Sequence, residues 1–231
     1  MHRLILFDID GTLLSADGAG KRAFHAAIRD VFGPIDEPPA YTFAGRTDPQ
    51  IARELLTAAR FSPAQVDAGL PGVFRRYTAY LESEIRGVEV CPLPGVLPLL
   101  ERIEAAGEPT VLGLLTGNVR EGAWIKLRAA GIDPGRFRVG AYGSDHHERP
   151  ELPAVAVARA EALTRHRYTG KEIVIIGDTP RDVSCGAHLG VRTIAVATGV
   201  YSLEELCACG PDHLFPDLGE VDRVWEAIHA S

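Results

Sequence analysis

The chain has 231 residues, of which 46% are hydrophobic and 24% are charged, a composition typical of a globular protein with a buried core. Its net charge of −7 argues against a nucleic acid or an anionic membrane surface as partner. No apolar stretch approaches the roughly 20 residues that a membrane-spanning helix needs, and the N-terminal apolar run is too short for a signal peptide. The 4 cysteines have neither the spacing of a disulfide framework nor that of a zinc site. We therefore expect reduced thiols in a cytoplasmic protein.

The first predicted element is a buried strand at Leu4–Phe7. A long stretch without a comparable strand follows it. Helices are predicted there at Gly20–Val31, Asp48–Arg60, Pro63–Leu70 and Val73–Arg86. We interpret residues 15–90 as an inserted α-helical cap domain, and residues 1–14 together with 91–231 as the catalytic core.

Helices and strands alternate through the rest of the chain. Further strands are predicted at Val111–Leu115, Val139–Tyr142, Ile173–Ile176, Thr193–Ala197 and His213–Phe215. Helices are predicted at Leu97–Ala106, Arg120–Ala130, Leu152–Leu163, Arg181–Leu189, Ser202–Ala208 and Glu220–Ala230. Continuous hydrophobicity is typical of strands buried on both faces, so we predict an α/β fold with a doubly wound parallel sheet. Ligands of such sheets bind at the carboxyl ends of the strands.

Acidic residues follow two of the predicted strands at the point where each strand ends. Asp8 and Asp10 come after the first strand, while Asp178 and Asp182 follow the strand at Ile173–Ile176. Carboxylates brought together at one edge need a cation or a shared proton, and a set of oxygen ligands suits Mg²⁺. A single aspartate at such a position can also cap a helix, which is the favoured interpretation for Asp182 taken alone.

Three segments at these strand ends resemble signature motifs of the haloacid dehalogenase superfamily. They are Asp8-Ile9-Asp10-Gly11-Thr12, Thr116-Gly117-Asn118 and Gly177-Asp178-Thr179-Pro180-Arg181-Asp182. They occur in the family order, and the helical insert resembles the cap of the phosphoglycolate-phosphatase-like branch. The resemblance implies a Mg²⁺-dependent phosphoric monoester hydrolase that acts on a small phosphorylated metabolite similar to phosphoglycolate.

The resemblance also implies a role for each motif residue. Asp8 would be the nucleophile that forms an aspartyl-phosphate, and Asp10 would act as general acid and then as general base. Asp8, the backbone carbonyl of Asp10 and Asp178 would hold the metal, with Asp182 supporting the metal or its waters. Thr116, Gly117 and Asn118 would bind the phosphoryl group.

The third motif of the family is normally a Lys followed by Pro at the start of a helix, and here the pattern differs. Arg149, followed by Pro150, occupies the register of that Lys and can balance the charge of the nucleophile. Lys126 is a rival supplier of this positive charge. A surface position on an amphipathic helix is the favoured interpretation for Lys126.

In the insert, Arg46 precedes a helix that Thr47 or Asp48 can cap. Arg46 can bind the part of the substrate beyond the phosphate, such as a carboxylate, or can be a solvated loop residue. Two alternative functions remain open: a phosphomutase acting on a sugar phosphate, and a catalytically silent binding module of the same fold. The presence of the motif aspartates disfavours the second. The sequence does not distinguish a monomer from a homodimer.

Overall fold

A computed structural model describes residues 2–107 and 109–230. The strands are β1 (Arg3–Phe7), β2 (Leu14–Ser15), β3 (Cys91–Pro92), β4 (Thr110–Leu115), β5 (Val139–Ala141), β6 (Ile173–Gly177), β7 (Arg192–Val196) and β8 (His213–Phe215). The helices are α1 (Ala19–Phe32), α2 (Asp48–Ala58), α3 (Pro63–Ile85), α4 (Val96–Ala106), α5 (Arg120–Ala129), α6 (Leu152–Thr164), α7 (Pro180–Cys185), α8 (Leu203–Cys207) and α9 (Val221–His229). Met1, Glu108 and Ser231, which the predicted core range includes, lie outside the described residues.

Six strands form one parallel sheet in the order β5-β4-β1-β6-β7-β8. In this register Leu6 of β1 pairs with Gly113 of β4 on one side and with Ile175 of β6 on the other. Strands β4 and β5 therefore lie on one side of β1, and the later strands β6, β7 and β8 lie on the other side. A parallel sheet with this order has a crevice beside β1 at the carboxyl ends of its strands.

Both faces of this sheet are covered by helices. Ile5 and Phe7 of β1 pack in a cluster with residues of α4, α5 and α9. Leu4 and Leu6, which point to the opposite face, pack in a second cluster with residues of α6. Because each strand is buried on both sides, its sequence is continuously apolar. The predicted doubly wound parallel sheet is confirmed.

Helices α1, α2 and α3 all fall within the predicted insert and have an apolar cluster of their own. Phe24 of α1, Leu55 of α2 and Tyr77 of α3 belong to this cluster. The chain enters and leaves the helical region through β2 and β3, which pair antiparallel between Leu14 and Pro92. The assignment of residues 15–90 as a separate domain stays a prediction. Within the described residues, no helix combines the length and apolar character needed to cross a bilayer.

Two helix predictions are wrong in their boundaries. The helices expected at Pro63–Leu70 and Val73–Arg86 are one continuous helix, α3, with Pro71 inside it. Buried residues on both sides of the proline keep the helix continuous, so packing outweighs the missing N–H. The helix expected at Arg181–Leu189 is instead interrupted at Gly186, where a side chain would come within 2.6 Å of Val191.

Candidate active site

A cavity of about 470 Å³ lies where the carboxyl ends of the strands face α1, α2 and α3. One wall is formed by residues that follow the strands, and the opposite wall by residues of the helical region. The first wall includes Asp8, Thr116 and Asp178, and the second includes Phe24, Asp48 and Tyr77. The position agrees with the crevice that the strand order produces.

Asp8 and Asp178 follow adjacent strands and are both buried. The Asp8 N–H donates to the Ile176 carbonyl at 3.0 Å, and Thr12 Oγ1 donates to Asp178 Oδ1 at 3.1 Å. Gly11 has a φ of 80°, which favours glycine, and a methyl group there would lie 2.4 Å from Asp178 Oδ2. Gly11 therefore lets the chain turn sharply and leaves room for the Asp178 carboxylate.

Arg149 stands at the position where the sequence predicted a cation beside the nucleophile. Its Nη2 donates to Asp182 Oδ1 and lies 3.4 Å from Asp8 Oδ2, and the whole side chain is buried. The second oxygen of Asp182 accepts from the N–H and the hydroxyl of Thr179, at 3.0 and 2.7 Å, in a capping box at the start of α7. Asp182 is therefore both a helix cap and the partner of Arg149.

The aspartates meet the requirements of a hard divalent cation. Carboxylate oxygens of Asp8, Asp178 and Asp182 lie within 4.8 Å of one another, and all three residues are buried. Burial raises the pKa of Asp8 to about 6, with the charges of Asp182 and Asp10 adding to the effect and Arg149 opposing it. The pKa of Asp178 is also raised well above its ordinary value by burial and by the neighbouring carboxylates. The single guanidinium leaves negative charge uncompensated, so the donor set fits a metal ion such as Mg²⁺.

Asp10 is held by a second set of polar groups. Lys126 Nζ lies 2.8 and 2.6 Å from the two Asp10 oxygens and 2.7 Å from Asn118 Oδ1. Asn118 Nδ2 donates to Asp10 Oδ2 at 2.8 Å and to Thr116 Oγ1 at 2.9 Å. The Asp10 side chain is 44% exposed, so it remains accessible from the cavity.

The favoured interpretation of Lys126 as a surface residue is wrong. The residue is only 4% exposed, and it lies where α5 meets Gly20 of α1. A methyl group at Gly20 would lie 3.1 Å from Lys126 Nζ, so glycine provides the space for the ammonium. The helical spacing of Ala123, Lys126 and Leu127 on one buried face was the available signal.

The comparison with known proteins identifies the family of the chain. A family model described as haloacid dehalogenase-like hydrolase matches residues 5–196. The chain belongs to this family. The membership predicted from the three motifs is confirmed.

Curated relatives of this family member include proteins named as phosphatases. The "Probable phosphatase IndB" of Dickeya dadantii is 26% identical over 226 residues, which cover 96% of this chain and 92% of that protein. The "Phosphoglycolate phosphatase" of Synechococcus elongatus is 26% identical over 213 residues, covering 91% of each protein. The predicted enzyme class, a phosphoric monoester hydrolase, is confirmed at the level of the family and its phosphatase-named relatives.

The fold also has a close counterpart among solved structures. The crystal structure of a hydrolase from Pseudomonas syringae superposes with a TM-score of 0.73 at 19% identity. The match covers 98% of this chain and 99% of that one. The similarity of fold to this hydrolase therefore extends over the helical region as well as the sheet.

In this family member, Gly117 brings the segment Thr116-Gly117-Asn118 against the helical region. A methyl group at Gly117 would lie 2.0 Å from the Arg46 carbonyl oxygen. The Gly117 carbonyl accepts from the Asp48 N–H at 2.8 Å. The backbone around Thr116, which is fully buried, is therefore in direct contact with the loop that precedes α2.

Arg46 lines the cavity but is engaged by other groups of the helical region. Its Nε donates to Glu54 at 3.0 Å and its Nη1 donates to the Thr42 carbonyl at 2.6 Å. Its guanidinium also lies 4.8 Å from the centre of the Tyr41 ring. Arg46 is therefore neither a solvated loop residue nor an uncompensated cation. Its predicted role as a carboxylate partner stays a prediction.

Asp48 and Tyr77 line the cavity, although sequence reasoning assigned neither of them a role in the site. Thr47 caps α2, because its Oγ1 accepts from the Gln50 N–H at 3.1 Å, and this leaves the Asp48 side chain for another partner. Asp48 Oδ2 accepts from the Val119 N–H at 2.7 Å, at the start of α5. Burial raises the pKa of Asp48 to about 7, while Lys126 opposes this effect. The acidic residue after a good capping residue was the only signal available in the sequence.

Proposed function

We propose that the chain is a Mg²⁺-dependent phosphatase that hydrolyses a small phosphomonoester through an aspartyl-phosphate on Asp8. The observation that carries the proposal is the cluster of Asp8, Asp178 and Asp182 beside Arg149, at the end of a cavity that also contains Thr116. The phosphatase names of curated relatives support the same reaction class. Phosphoglycolate, which the sequence resemblance suggested, is one candidate substrate.

In the proposed reaction, an oxygen of Asp8 attacks phosphorus as the bond from phosphorus to the leaving oxygen breaks. Arg149, 3.4 Å from Asp8, offsets the charge that the carboxylate and the phosphoryl group bring together. The Thr116 hydroxyl and the Gly117 N–H would bind the phosphoryl oxygens. Mg²⁺ would be held by Asp8, the Asp10 carbonyl and Asp178, and it supplies positive charge that reduces the repulsion between two anions.

Asp10 would act as the general acid and then as the general base of the reaction. It gives a proton to the leaving alkoxide, and then takes one from the water that attacks the phosphorus of the aspartyl-phosphate and releases inorganic phosphate. Lys126 and Asn118 hold the carboxylate through both of its oxygens, which fixes its direction. Asp182 would act through Arg149 and α7, because both of its oxygens already accept hydrogen bonds.

The test is phosphate release from a panel of small phosphomonoesters and an aryl phosphate, measured with Mg²⁺ and after chelation. We expect turnover that requires the metal and is lost in Asp8→Asn. Equal phosphate release by wild type and Asp8→Asn would contradict the proposal. Isomerisation of a sugar phosphate without phosphate release would instead indicate a phosphomutase, and binding without turnover would indicate a binding module.

A further inference from the structure

Two polar atoms on the helical wall of the cavity are left without protein partners. Asp48 is 8% exposed and its Oδ2 is used by Val119, but among residues 2–107 and 109–230 no group donates to its Oδ1. Tyr77 is 1% exposed, and within the same described residues its hydroxyl likewise makes no hydrogen bond. Neither atom is enclosed away from solvent, so both are open to the cavity that the two residues line. Buried polar atoms normally have partners, so these two are candidates for ligand contacts.

Both residues are held firmly near the phosphate-binding motif. Asp48 bonds to the Gly117 carbonyl and to the Val119 N–H, the residues on either side of Asn118. The Tyr77 ring packs edge-on against Phe24, with the ring centres 5.3 Å apart. A methyl group at Gly122 would lie 3.5 Å from the Tyr77 hydroxyl and 3.5 Å from the side chain of Val119, the residue that donates to Asp48, so the two groups lie in the same part of the cavity wall. The two open atoms therefore form one polar spot beside the place where the phosphoryl group would bind.

The charge of this spot determines which substrate group fits it. Nearby cations are already paired: Lys21 with Glu37 at 2.8 Å, Arg46 with Glu54 at 3.0 Å and Lys126 with Asp10 at 2.6 Å. A substrate carboxylate would therefore find no free cation here, and it would be repelled by Asp48 in its ionised form. A hydroxyl can donate to Asp48 Oδ1 and accept from the Tyr77 hydroxyl at the same time.

We propose that Asp48 and Tyr77 determine specificity by binding a hydroxyl group on the organic part of the substrate. The enzyme would thus select hydroxylated phosphomonoesters over carboxylated ones. This inference rests on the proposed phosphatase function and adds the class of leaving group. The Val119 contact of Asp48 is structural, whereas the Oδ1 contact would be made only with the substrate.

The test uses two esters with the same carbon skeleton, 2-hydroxyethyl phosphate and phosphoglycolate. They differ in carrying a hydroxymethyl group or a carboxylate beyond the ester carbon. We expect wild type to have the higher kcat/KM for 2-hydroxyethyl phosphate, by about tenfold or more, the value of a hydrogen bond to a charged group. In the Asp8→Asn background, the dissociation constants of both esters measured by calorimetry should show the same order.

Two conservative variants assign the preference to these residues. Asp48→Asn keeps an acceptor for Val119 and removes the charge, so the ratio of the two kcat/KM values should fall about tenfold. Tyr77→Phe keeps the packed ring and should lower kcat/KM for the hydroxyl ester more than for phosphoglycolate. Asp36→Asn, the same chemical change at an exposed position outside the cavity, is the matched control and should leave the ratio unchanged.

The outcomes separate the inference from the function on which it rests. Equal or better turnover of phosphoglycolate by wild type would overturn the inference and leave the phosphatase function standing. A preference for the hydroxyl ester that survives in both variants would overturn the assignment to Asp48 and Tyr77. Hydrolysis of an aryl phosphate but of neither ester would also overturn it, whereas failure to hydrolyse any phosphomonoester would contradict the phosphatase function itself.

Discussion

The two walls of the cavity satisfy their polar groups in different ways. On the sheet side, Arg149 pairs with Asp182 and Asp8, and Lys126 pairs with Asp10. On the helical side, Asp48 and Tyr77 leave atoms open to the cavity. In the proposed reaction the sheet side surrounds the phosphoryl group, which every substrate shares, while the open atoms of the helical side face the part that differs between substrates. The comparison predicts that changes on the sheet side affect the rate with every substrate, and that changes on the helical side affect the choice of substrate.

The largest effect is expected from removing the proposed nucleophile. Asp8→Asn should lower kcat by about 10⁴-fold or more for all phosphomonoesters, because an amide lacks the nucleophilic carboxylate oxygen that the proposed covalent step requires. Steady-state phosphate release measures the effect. A loss of kcat with only some of the substrates would contradict the prediction that changes on the sheet side affect every substrate.

The next largest effect is expected at Arg149. Arg149→Met leaves Asp182 and Asp8 without their buried partner, so the free energy of unfolding should fall by about 3–5 kcal/mol and kcat by about 10³-fold. Arg149→Lys is the matched control and should recover part of both, since it restores a cation. Denaturant titration and phosphate release measure the two effects. Wild-type stability in Arg149→Met would show that the pairing has no structural importance.

A smaller loss is expected at Lys126. Lys126→Met keeps an unbranched side chain only one atom shorter but no longer holds Asp10, so kcat should fall by about 10²-fold, at the lower end of what general acid–base catalysis contributes. The loss should be smaller with an aryl phosphate, whose leaving group needs little protonation. Equal losses with alkyl and aryl esters would mean that Lys126 does not act through Asp10.

The sheet side could be predicted from the sequence because strand ends of a parallel sheet meet at one edge. Asp8, Thr116 and Asp178 each follow an apolar run, so the topology brings them together. The helical side could not be predicted in this way. Asp48 meets Val119 across 71 positions of sequence, and no periodic pattern specifies that contact.

The same limit explains the errors on Lys126 and α3. The burial of Lys126 depends on Gly20 in another helix, and the continuity of α3 past Pro71 depends on packing against other elements of the helical region. Both are consequences of tertiary contacts, which outweigh the local preferences that sequence patterns record. The sequence therefore predicts which residues meet at the strand ends better than it predicts the packing of the helical side of the cavity.

A further effect is a pH dependence of stability on the helical side. The pKa of Asp48 in the folded protein, about 7, exceeds its ordinary value of 3.8, so the folded protein keeps a proton that the unfolded chain releases. The contribution of Asp48 to the free energy of unfolding is therefore fully present at low pH and is lost as the pH rises through the folded-state pKa of about 7. Asp48→Asn should become more stable relative to wild type from about pH 4 to about pH 8, by on the order of 4 kcal/mol. A constant difference in the free energy of unfolding over this range would contradict the burial of a charged Asp48.

The central claim, that Asp8 bonds covalently to phosphorus, is best tested by trapping the aspartyl-phosphate. Asp10→Asn should slow the attack of water more than the release of a good leaving group, so the intermediate should accumulate with an aryl phosphate and Mg²⁺. Acid quenching, borohydride reduction and peptide mass spectrometry would then identify the modified residue. We predict conversion of Asp8 to homoserine. Modification of a different residue, or turnover with no modified residue in Asp10→Asn, would contradict the account.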